Sequence, residues 1–266
     1  MAQARRRLDA ELVHRGLARS REQARALIED GRVLVGNVAA TKPATQVDAG
    51  TSIKVSEAED GPDYVSRGAH KLVGALDAFG LDVAGRHALD AGASTGGFCD
   101  VLLRRDVAAV VAVDVGYGQL AWPVRSDARV TVLERTNVRD LTADMLPFAP
   151  DLVVGDLSFI SLRLVLPPLA AVATADADFA LMVKPQFEVG KELVGAGGVV
   201  RDPALRSDAV RRIASAAWDL GLGTVGVVAS PLPGPSGNVE YFLHLRRGAE
   251  PLDDAELARA IEEGPQ

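Results

Sequence analysis

From residue 64 to residue 250 the chain alternates short apolar runs with helical stretches, and this alternation constrains the fold more than any other feature. Seven runs have the composition of buried strands: HALD, AVVAVDVG, VTVLERTN, DLVVGDLSF, FALMVKP, TVGVVASPL and VEYFLHL. Such runs, alternating with helices, are typical of a mainly parallel sheet with both faces covered. The last two are joined through PLPGPSGN, which is too short for a helical crossover. The predicted fold is therefore an α/β domain on a seven-stranded sheet whose last strand is antiparallel.

The first 56 residues differ from the rest of the chain in charge. They hold ten Lys and Arg residues against six Asp and Glu, a net charge of +4. The whole chain carries −7, so the remainder carries −11. A basic segment of this kind is typical of a site for a polyanion, but it is as often a solvated surface.

The same segment has the pattern of a small α+β module. Apolar residues recur at helical spacing from Leu8 to Ile28, with breaks at Gly16 and Ser20, which predicts two short helices. Ser20 followed by Gln23 predicts a capping box at the second helix. The run RVLVGNVAATK then alternates about a Gly-Asn pair, Gly36 and Asn37, which predicts a hairpin, and TSIKV supplies another strand.

The predicted domain boundaries follow from these patterns. The basic module covers residues 1–60 and ends in an acidic linker, EAEDGPD, at residues 57–63. The α/β domain covers residues 64–250. Residues 251–266 form an acidic tail, predicted to be either a terminal helix or a frayed end.

Composition indicates a cytoplasmic protein. The one cysteine, Cys99, excludes an intramolecular disulfide. No uncharged apolar run reaches the ~18 residues that a membrane span needs. The acidic residues Asp9 and Glu11 interrupt what would be the apolar core of a signal peptide. Neither secretion nor stable membrane association is expected, and the four histidines lack metal-ligand spacing, so no metal is predicted.

A glycine loop follows the first strand of the α/β domain, in LDAGASTGGF at residues 89–98. A loop between a first strand and a helix places a ligand at the carboxyl ends of the strands. Its glycine spacing does not fit the dinucleotide pattern G-x-G-x-x-G. Asp90, Asp114 and Asp156 also fall at strand ends, and three carboxylates would repel phosphates. The pattern therefore favours S-adenosylmethionine, which carries a sulfonium and an ammonium but no phosphate.

Each part of that cofactor has a predicted partner. Asp114 follows the loop by some twenty residues, as the ribose-binding acid of Rossmann sheets does. Asp90 and the loop backbone are expected at the methionine end, and Asn137 at the adenine. Each aspartate taken singly is as typical of a turn or a helix cap. The predicted cofactor set is Asp90, Gly92, Ser94, Thr95, Gly96, Gly97, Phe98, Asp114, Val115, Asn137, Asp156 and Leu157.

Two resemblances extend this interpretation. The segment RLDAELVHRGLARSREQARALIEDGRVLVGNVAATKPATQV resembles the S4 domain, a small RNA-binding module, although S4 hairpins usually carry Asn-Gly or Asp-Gly. The order Lys71, Asp156, Lys184, Glu240 resembles the K-D-K-E tetrad of FtsJ-like ribose 2′-O-methyltransferases. Together with SRGAHKL, DVGYGQL, GDLSFISL, VKPQFEVG and PSGNVEYF, they make the chain resemble the TlyA family of bacterial proteins. An antiparallel last strand is also the arrangement of Rossmann-like methyltransferases.

The resemblance implies 2′-O-methylation of ribose, in cytidines of 16S and 23S ribosomal RNA, with S-adenosylmethionine as donor and the S4 domain on structured RNA. Asp156 would hold Lys184, and Glu240 would orient Lys71 or the ribose. Lys184 would act either as a neutral general base or as a charged group that lowers the hydroxyl pKa. The expected RNA contacts are Arg5, Arg6, Arg7, Arg15, Arg19, Arg21, Arg25, Lys42, Arg67, Lys191 and Arg201.

Other interpretations of the chain remain. The glycine-rich segment 187–202 is predicted either as a lid that grips RNA or as a plain surface loop. One alternative function is that of a membrane-active haemolysin, which the association of TlyA proteins with haemolysis implies. No membrane segment in the sequence supports this alternative. A further alternative is an RNA-binding protein that senses the cofactor but has lost catalysis. The intact tetrad argues against this alternative.

Overall fold

The structure, a computed structural model, describes residues 5–18, 21–29, 31–36, 38–55, 64–234 and 236–264. The chain divides into two compact units, Met1–Asp63 and Tyr64–Gln266. Arg19, Ser20, Asn37 and the predicted linker at 57–63 lie outside the described residues.

Unit 1 packs two helices against short antiparallel strands. Leu8, Leu12, Ile28 and Val33 are among the residues of its apolar core, as the helical spacing of the sequence requires. Strand β2 pairs with β3 to form the predicted hairpin and with β5 on its other side, while β1 pairs with β4. The elements are β1 (Arg6–Arg7), α1 (Leu8–His14), α2 (Arg21–Glu29), β2 (Val33–Val35), β3 (Val38–Ala39), β4 (Gln46–Val47) and β5 (Ile53–Val55).

Unit 2 is built on one seven-stranded sheet. Its strands are β6 (His87–Ala91), β7 (Ala109–Val113), β8 (Val130–Leu133), β9 (Leu152–Gly155), β10 (Asp178–Val183), β11 (Leu222–Ala229) and β12 (Tyr241–Arg247), in the order β11-β12-β10-β9-β6-β7-β8. Strands β6 to β10 pair in parallel, whereas β12 lies antiparallel between β10 and β11. The predicted α/β fold, with its antiparallel last strand, is confirmed.

Helices cover both faces of this sheet. Phe179 and Leu181 of β10 belong to the apolar core on one face, and Ala180 and Met182 to the core on the other. Burial on both faces explains the continuous apolar runs of the sequence. The helices are α3 (Gly68–Phe79), α4 (Gly97–Arg104), α5 (Trp122–Arg125), α6 (Leu166–Val172), α7 (Pro185–Glu188), α8 (Pro203–Trp218) and α9 (Asp254–Glu263). Single 3₁₀ turns occupy Val138–Asp140, Ala143–Met145, Leu162–Leu164, Lys191–Leu193 and Ala196–Gly198.

The acidic tail is a folded part of unit 2. Helix α9 begins after Asp253, whose carboxylate accepts hydrogen bonds from the backbone N–H groups of Ala255 and Glu256 at 2.8 and 2.9 Å. Leu257 and Ile261 of this helix are buried in the core beside β11. Across the described ranges, no helix has the length and apolarity that crossing a bilayer requires.

The topology brings distant parts of the sequence to one edge of the sheet. Because β6 to β10 run in parallel, the residues that follow Ala91, Val113, Leu133, Gly155 and Val183 all emerge at the same edge. Strand β12 runs the opposite way, so the segment before it begins at that edge too. We call this the carboxyl edge.

A buried ionic cluster stabilises the opposite edge. Asp178, at the start of β10, lies 2.7 Å from His244 Nε2 and accepts a hydrogen bond from Arg86 Nη2 at 3.1 Å. Burial opposes ionisation of this carboxyl, but His244 and Arg86 hold its pKa below the ordinary value. The charged carboxylate therefore stabilises the folded state above the unfolded pKa of about 4, and this stabilisation is lost as the pH falls through the folded pKa.

Replacement of Asp178 by Asn tests this cluster. We expect Asp178→Asn to lower the free energy of unfolding by about 1 to 3 kcal/mol at pH 7, because it leaves buried donors without a charged acceptor. The deficit should shrink as the pH falls below about 4. Urea titrations at several pH values measure it, with the exposed Asp219→Asn as control. A deficit that stays constant down to pH 3 would contradict the assignment.

Candidate active site

The loop at the carboxyl edge is rich in glycine because it packs too closely against other parts of unit 2 to accommodate side chains at those positions. Gly92 and Gly96 have φ of 84° and 94°, in the left-handed region that favours glycine. A Cβ on Gly92 would lie 3.0 Å from the carbonyl oxygen of Asp156, and one on Gly97 would lie 2.2 Å from Ser66 Oγ. The loop is thus held against the ends of β9 and the segment before α3.

Asp114 connects this loop to the end of β7. Its carboxylate accepts hydrogen bonds from the backbone N–H of Ser94 at 2.8 Å and of Gly116 at 2.6 Å. A cavity lies beside it, with apolar walls that include Leu120 and Val132. The carboxylates of Asp114 and Glu134 also line this cavity. The cavity is a shallow recess, smaller than a typical ligand pocket, whose lining combines apolar walls with acceptors.

Sequence analysis missed Glu134, which lines the same cavity. It follows the last residue of β8, accepts from Arg125 Nη1 at 2.6 Å and accepts from the backbone N–H of Gly118 at 2.9 Å. The hydrogen bond from Arg125 holds the pKa of Glu134 below its ordinary value. The signal was present in VTVLERTN, where an acid follows an apolar run just as Asp114 and Asp156 do.

The other residues of the predicted cofactor set occupy varied positions. Asn137 is exposed, and its side-chain oxygen caps the turn at Val138–Asp140 by accepting from the N–H of Arg139 at 3.1 Å. Val115 is 68% exposed. Phe98 is buried in α4, and Leu157 lies against Gly92. Thr95 lies in the loop, where its carbonyl accepts from the N–H of Ala121.

Asp90 is completely buried beneath the loop. Its Oδ2 accepts from the backbone N–H and from Sγ of Cys99, both at 3.1 Å, whereas its Oδ1 has no hydrogen-bond partner among the described residues. Burial, together with the charges of Asp156 and Asp114, raises the pKa of Asp90 to about 7, against the two hydrogen bonds from Cys99 that lower it. A buried carboxylate oxygen without a donor fits a site that receives a cationic or hydrogen-bonding group.

The four residues of the predicted tetrad lie together at the carboxyl edge, as two ion pairs. Lys71 Nζ lies 2.5 Å from Glu240 Oε2, with both side chains more than nine-tenths buried. Lys184 Nζ lies 2.5 Å from Asp156 Oδ1 and donates a hydrogen bond to Ser158 Oγ at 2.9 Å. The two pairs are neighbours because Lys184 and Glu240 adjoin Val183 and Tyr241, which face each other across β10 and β12.

Further polar atoms at this edge lack a partner. Glu240 Oε1 and Gln186 Oε1 are buried, and no described residue donates a hydrogen bond to either. Gln186 follows Lys184 by two residues, and sequence analysis did not single it out. Buried acceptors without donors are uncommon in folded proteins, and these two are available to a polar ligand.

One aromatic side chain at this edge projects into solvent. Phe159 is 92% exposed and has φ of 63°, although it is not glycine. Its ring lies 5.3 Å from that of Phe187, at an interplanar angle of 46°. Such backbone geometry costs free energy and is concentrated at functional sites. Sequence analysis missed Phe159, whose only signal was its position three residues after Asp156.

The basic residues expected to contact RNA in unit 2 are exposed. Arg67 donates to the carbonyl oxygen of Pro233 at 3.4 Å, and Arg201 donates to that of Ala196 at 3.4 Å. Lys191 lies in the glycine-rich segment, at the start of one of its 3₁₀ turns. In the ranges that the structure covers, no group of three or more His, Cys, Asp or Glu side chains is arranged to hold a metal ion.

Two buried carboxylates organise the arginines of unit 1. Asp9 is fully buried, and its Oδ2 lies 3.0 Å from Arg7 Nη2, 3.0 Å from Arg21 Nη2 and 3.5 Å from Arg25 Nε. The hydrogen bond from Arg7 is the largest of the interactions that hold the pKa of Asp9 well below its usual range. Arg7, Arg21 and Arg25 keep 42 to 54% of their side chains exposed.

Glu11 is the second of these carboxylates. Its oxygens lie 2.8 Å from Arg15 Nε and 3.5 Å from Arg6 Nη1. Arg15 also donates to the carbonyl oxygens of Asp48, Ala49 and Thr51. Its guanidinium is therefore largely engaged within unit 1. Of the remaining candidates, Arg5 pairs with Asp48 at 3.2 Å and Lys42 is exposed.

Comparisons with known proteins agree with this architecture. The family model described as FtsJ-like methyltransferase matches residues 64–247, and the S4 domain model matches residues 6–53. The 16S/23S rRNA (cytidine-2'-O)-methyltransferase TlyA of Mycobacterium tuberculosis is 60% identical over 265 residues, which is 97% of this chain and 98% of that protein.

Relatives with another name also match. Hemolysin A of Brachyspira hyodysenteriae is 36% identical over 239 residues, which is 90% of this chain and 98% of that protein. A solved structure described as a hemolysin from Streptococcus thermophilus has a TM-score of 0.76 at 36% identity and covers 98% of both chains. The chain therefore belongs to the FtsJ-like methyltransferase family and, with its S4 domain, to the TlyA proteins.

Proposed function

We propose that this protein methylates the 2′-oxygen of cytidine ribose in 16S and 23S ribosomal RNA, with S-adenosylmethionine as donor. The observation that carries the proposal is the pair of lysine–carboxylate contacts at the carboxyl edge, the edge where the recess lined by Asp114 and Glu134 also lies. The relative that is 60% identical is named for this reaction. A ribosomal RNA substrate, free or within ribosomal subunits, implies work in the cytoplasm.

The cofactor part of the proposal uses residues of the loop and of three strand ends. S-adenosylmethionine, when bound, supplies a methyl group from a positively charged sulfonium. Asp114 and Glu134 would accept hydrogen bonds from the nucleoside, because both line the cavity. The unpartnered Oδ1 of Asp90 would accept from the ammonium at the methionine end. Each of these groups is a carboxylate, which suits a cationic ligand and disfavours a phosphate.

In the catalytic part, Lys184 acts on the ribose hydroxyl. A 2′-hydroxyl is a weak nucleophile: as it reacts, its proton passes to water, negative charge builds up on its oxygen, and that oxygen forms a bond to the methyl carbon as the methyl–sulfur bond breaks. Asp156 Oδ1 forms an ion pair with Lys184 Nζ, and Ser158 Oγ accepts a hydrogen bond from it, an arrangement that suits the charged ammonium. We therefore favour Lys184 as a cation that stabilises the developing oxyanion over Lys184 as a neutral base. Glu240 holds Lys71 as a second cation beside it.

The RNA part of the proposal assigns residues 1–60 to RNA binding, residues 64–250 to catalysis and residues 251–266 to a tail. Three exposed guanidiniums share the single buried Asp9, so this cluster keeps a positive excess for phosphates. Phe159 would stack against a base lifted from the RNA, because a ring that is 92% exposed has a free face. Lysis of membranes, the activity that the name Hemolysin A implies for that relative, would give no role to the buried tetrad.

Removal of the Lys184 ammonium tests the catalytic assignment. Lys184→Ala should lower kcat for methylation of ribosomal subunits by about 10² to 10³-fold or more, the loss typical of a removed oxyanion donor. Affinity for S-adenosylmethionine, measured by calorimetry, should change little. The exposed Arg259→Ala in α9 is the control. Full activity of Lys184→Ala would reject the assignment.

Asp90 generates a prediction about protons. Its pKa of about 7 in the free protein means that it is partly protonated at pH 7, and a bound cation favours the ionised form. Binding of S-adenosylmethionine near pH 7 should therefore release up to about half a proton. Calorimetry in two buffers of different ionisation enthalpy measures this release.

Two controls make the proton measurement specific to Asp90. Asp90→Asn should abolish the release near pH 7 and weaken binding. Adenosine, which lacks the methionine end, should bind wild-type protein without the release. Equal release by wild-type protein and Asp90→Asn would assign the proton to another group.

Arg15 and Arg21 lie six residues apart but differ in what they contact, and this difference is testable. Arg21→Ala should weaken binding to ribosomal subunits about fivefold and lower the slope of log K against log salt by about 0.9, the value for one phosphate contact. Arg15→Ala should change the slope less and lower the melting temperature more, because Arg15 bonds to three backbone carbonyls. Equal slope changes in the two variants would contradict this division.

A further inference from the structure

The loop at residues 157–162 carries two groups of the candidate site and is held from outside the tetrad. Ser158 accepts from Lys184, and Phe159 projects into solvent. The loop ends where Glu188 reaches it from the last residue of α7. Ser161 Oγ donates to Glu188 Oε2 at 2.5 Å, and the backbone N–H of Leu162 donates to Glu188 Oε1 at 2.9 Å. Both carboxylate oxygens of Glu188 thus bind the same loop.

The two hydrogen bonds of Glu188, here called the clamp, are part of a longer series of contacts between residues 157–162 and residues 184–188. Residues 184–188 are Lys184 followed at once by the short helix α7. Along the two segments, Lys184 bonds to Ser158, Phe187 lies against Phe159, and Glu188 bonds to the residues where the loop ends. The lysine, the ring that supports Phe159 and the clamp therefore lie on one five-residue stretch. A shift of the loop against this stretch would move Ser158 and Phe159 together.

The environment of Glu188 is unusual for a glutamate with no part in the tetrad. Its side chain is half-buried, and its two hydrogen-bond donors are a hydroxyl and a backbone N–H. Burial raises its pKa, against the hydrogen bonds from Ser161 and Leu162 and the charge of Arg163. A carboxylate that is desolvated in this way costs free energy, so its two bonds to the loop must offset that cost.

We propose that Glu188 is a positioning residue for the methyl transfer, one that fixes the loop at residues 157–162 so that Ser158 and Phe159 keep their places relative to Lys184. The proposal rests on the proposed function. It assigns to Glu188 no contact with substrate or cofactor. Its effect passes through the loop, to the ammonium by way of Ser158 and to the RNA base by way of Phe159.

A set of variants with kinetic readouts tests this role. Glu188→Ala removes both bonds and should lower kcat on ribosomal subunits by about tenfold to a hundredfold, the combined effect of two hydrogen bonds. The dissociation constant for S-adenosylmethionine should stay within about twofold, because Glu188 does not line the cavity. Ser161→Ala removes one of the two bonds to Glu188, together with the bond that Ser161 Oγ accepts from the backbone N–H of Arg163, and should lower kcat by about threefold to tenfold.

The conservative variant Glu188→Gln distinguishes the hydrogen bonds of Glu188 from its negative charge. In Glu188→Gln the amide oxygen accepts from the N–H of Leu162 and the amide nitrogen donates to Ser161 Oγ, so kcat should stay within about threefold of wild type. Glu192→Gln, an exposed glutamate four residues later, is the matched control. Hydrogen exchange at the amide of Leu162 should be faster in Glu188→Ala than in wild type or Glu188→Gln.

Several outcomes would overturn the role. One is a Glu188→Ala protein with a lower melting temperature but unchanged kcat, which would mean that Glu188 only stabilises the fold. Another is a folded Glu188→Gln protein as impaired as Glu188→Ala, which would mean that the charge matters and the clamp does not. Should Glu188→Ala fail to fold, Ser161→Ala decides by the same kcat criterion. A wild-type chain that methylates no ribosomal RNA overturns the proposed function itself, an outcome distinct from wild-type activity that Glu188 does not influence.

Discussion

The burial of two lysine ammonium groups among apolar strand ends is the constraint on which the site depends. Desolvation of an ammonium costs several kcal/mol unless a carboxylate lies beside it with good geometry. Asp156 and Glu240 meet this need for Lys184 and Lys71 at 2.5 Å each. Each pair joins segments that are far apart in the chain. The strands of the sheet must therefore assemble before either ion pair can form. The fold and the reacting groups are in this sense specified together.

The sheet supplies the closeness that these pairs require. Parallel strands with both faces buried deliver every carboxyl end to one edge, and the antiparallel β12 adds Glu240 from the opposite direction. The same packing explains the glycines of the loop, since Gly92 and Gly97 approach Asp156 and Ser66 too closely for a side chain. These glycines are therefore required by close packing within the protein itself. Polar atoms that lack hydrogen-bond partners among the described residues, on Asp90, Gln186 and Glu240, lie at the same edge.

Much of this architecture could be predicted because the apolar composition of each strand indicates how far that strand is buried. FALMVKP reads as a doubly covered strand, and β10 is buried at every position. The shortness of PLPGPSGN was enough to predict an antiparallel pair. Glu134 could have been predicted from the acid that follows the apolar run in VTVLERTN. The roles proposed for Phe159 and Glu188 could not, since they depend on backbone angles and on which segments meet. Glu188 follows a strand end as many surface glutamates do, and only the approach of Ser161 and Leu162 distinguishes it.

Local sequence also failed to separate arginines with different partners. Arg15 and Arg21 both belong to a basic helical pattern, yet one is bonded to backbone carbonyls and the other shares Asp9 with two further guanidiniums. Counting charge over the first 56 residues gives an excess of cations but not its distribution. That distribution is set by Asp9 and Glu11, two acids that the charge count merely subtracts.

The burial of Cys99 has a practical consequence for this protein. Its thiol is inaccessible and bonded to Asp90, and burial raises its pKa well above the ordinary value, so that little reactive thiolate exists at neutral pH. Since the chain holds no other cysteine, a cysteine introduced on the surface would react selectively with a maleimide. Fluorophore or spin-label pairs can therefore be attached to the native background, without first removing the natural thiol.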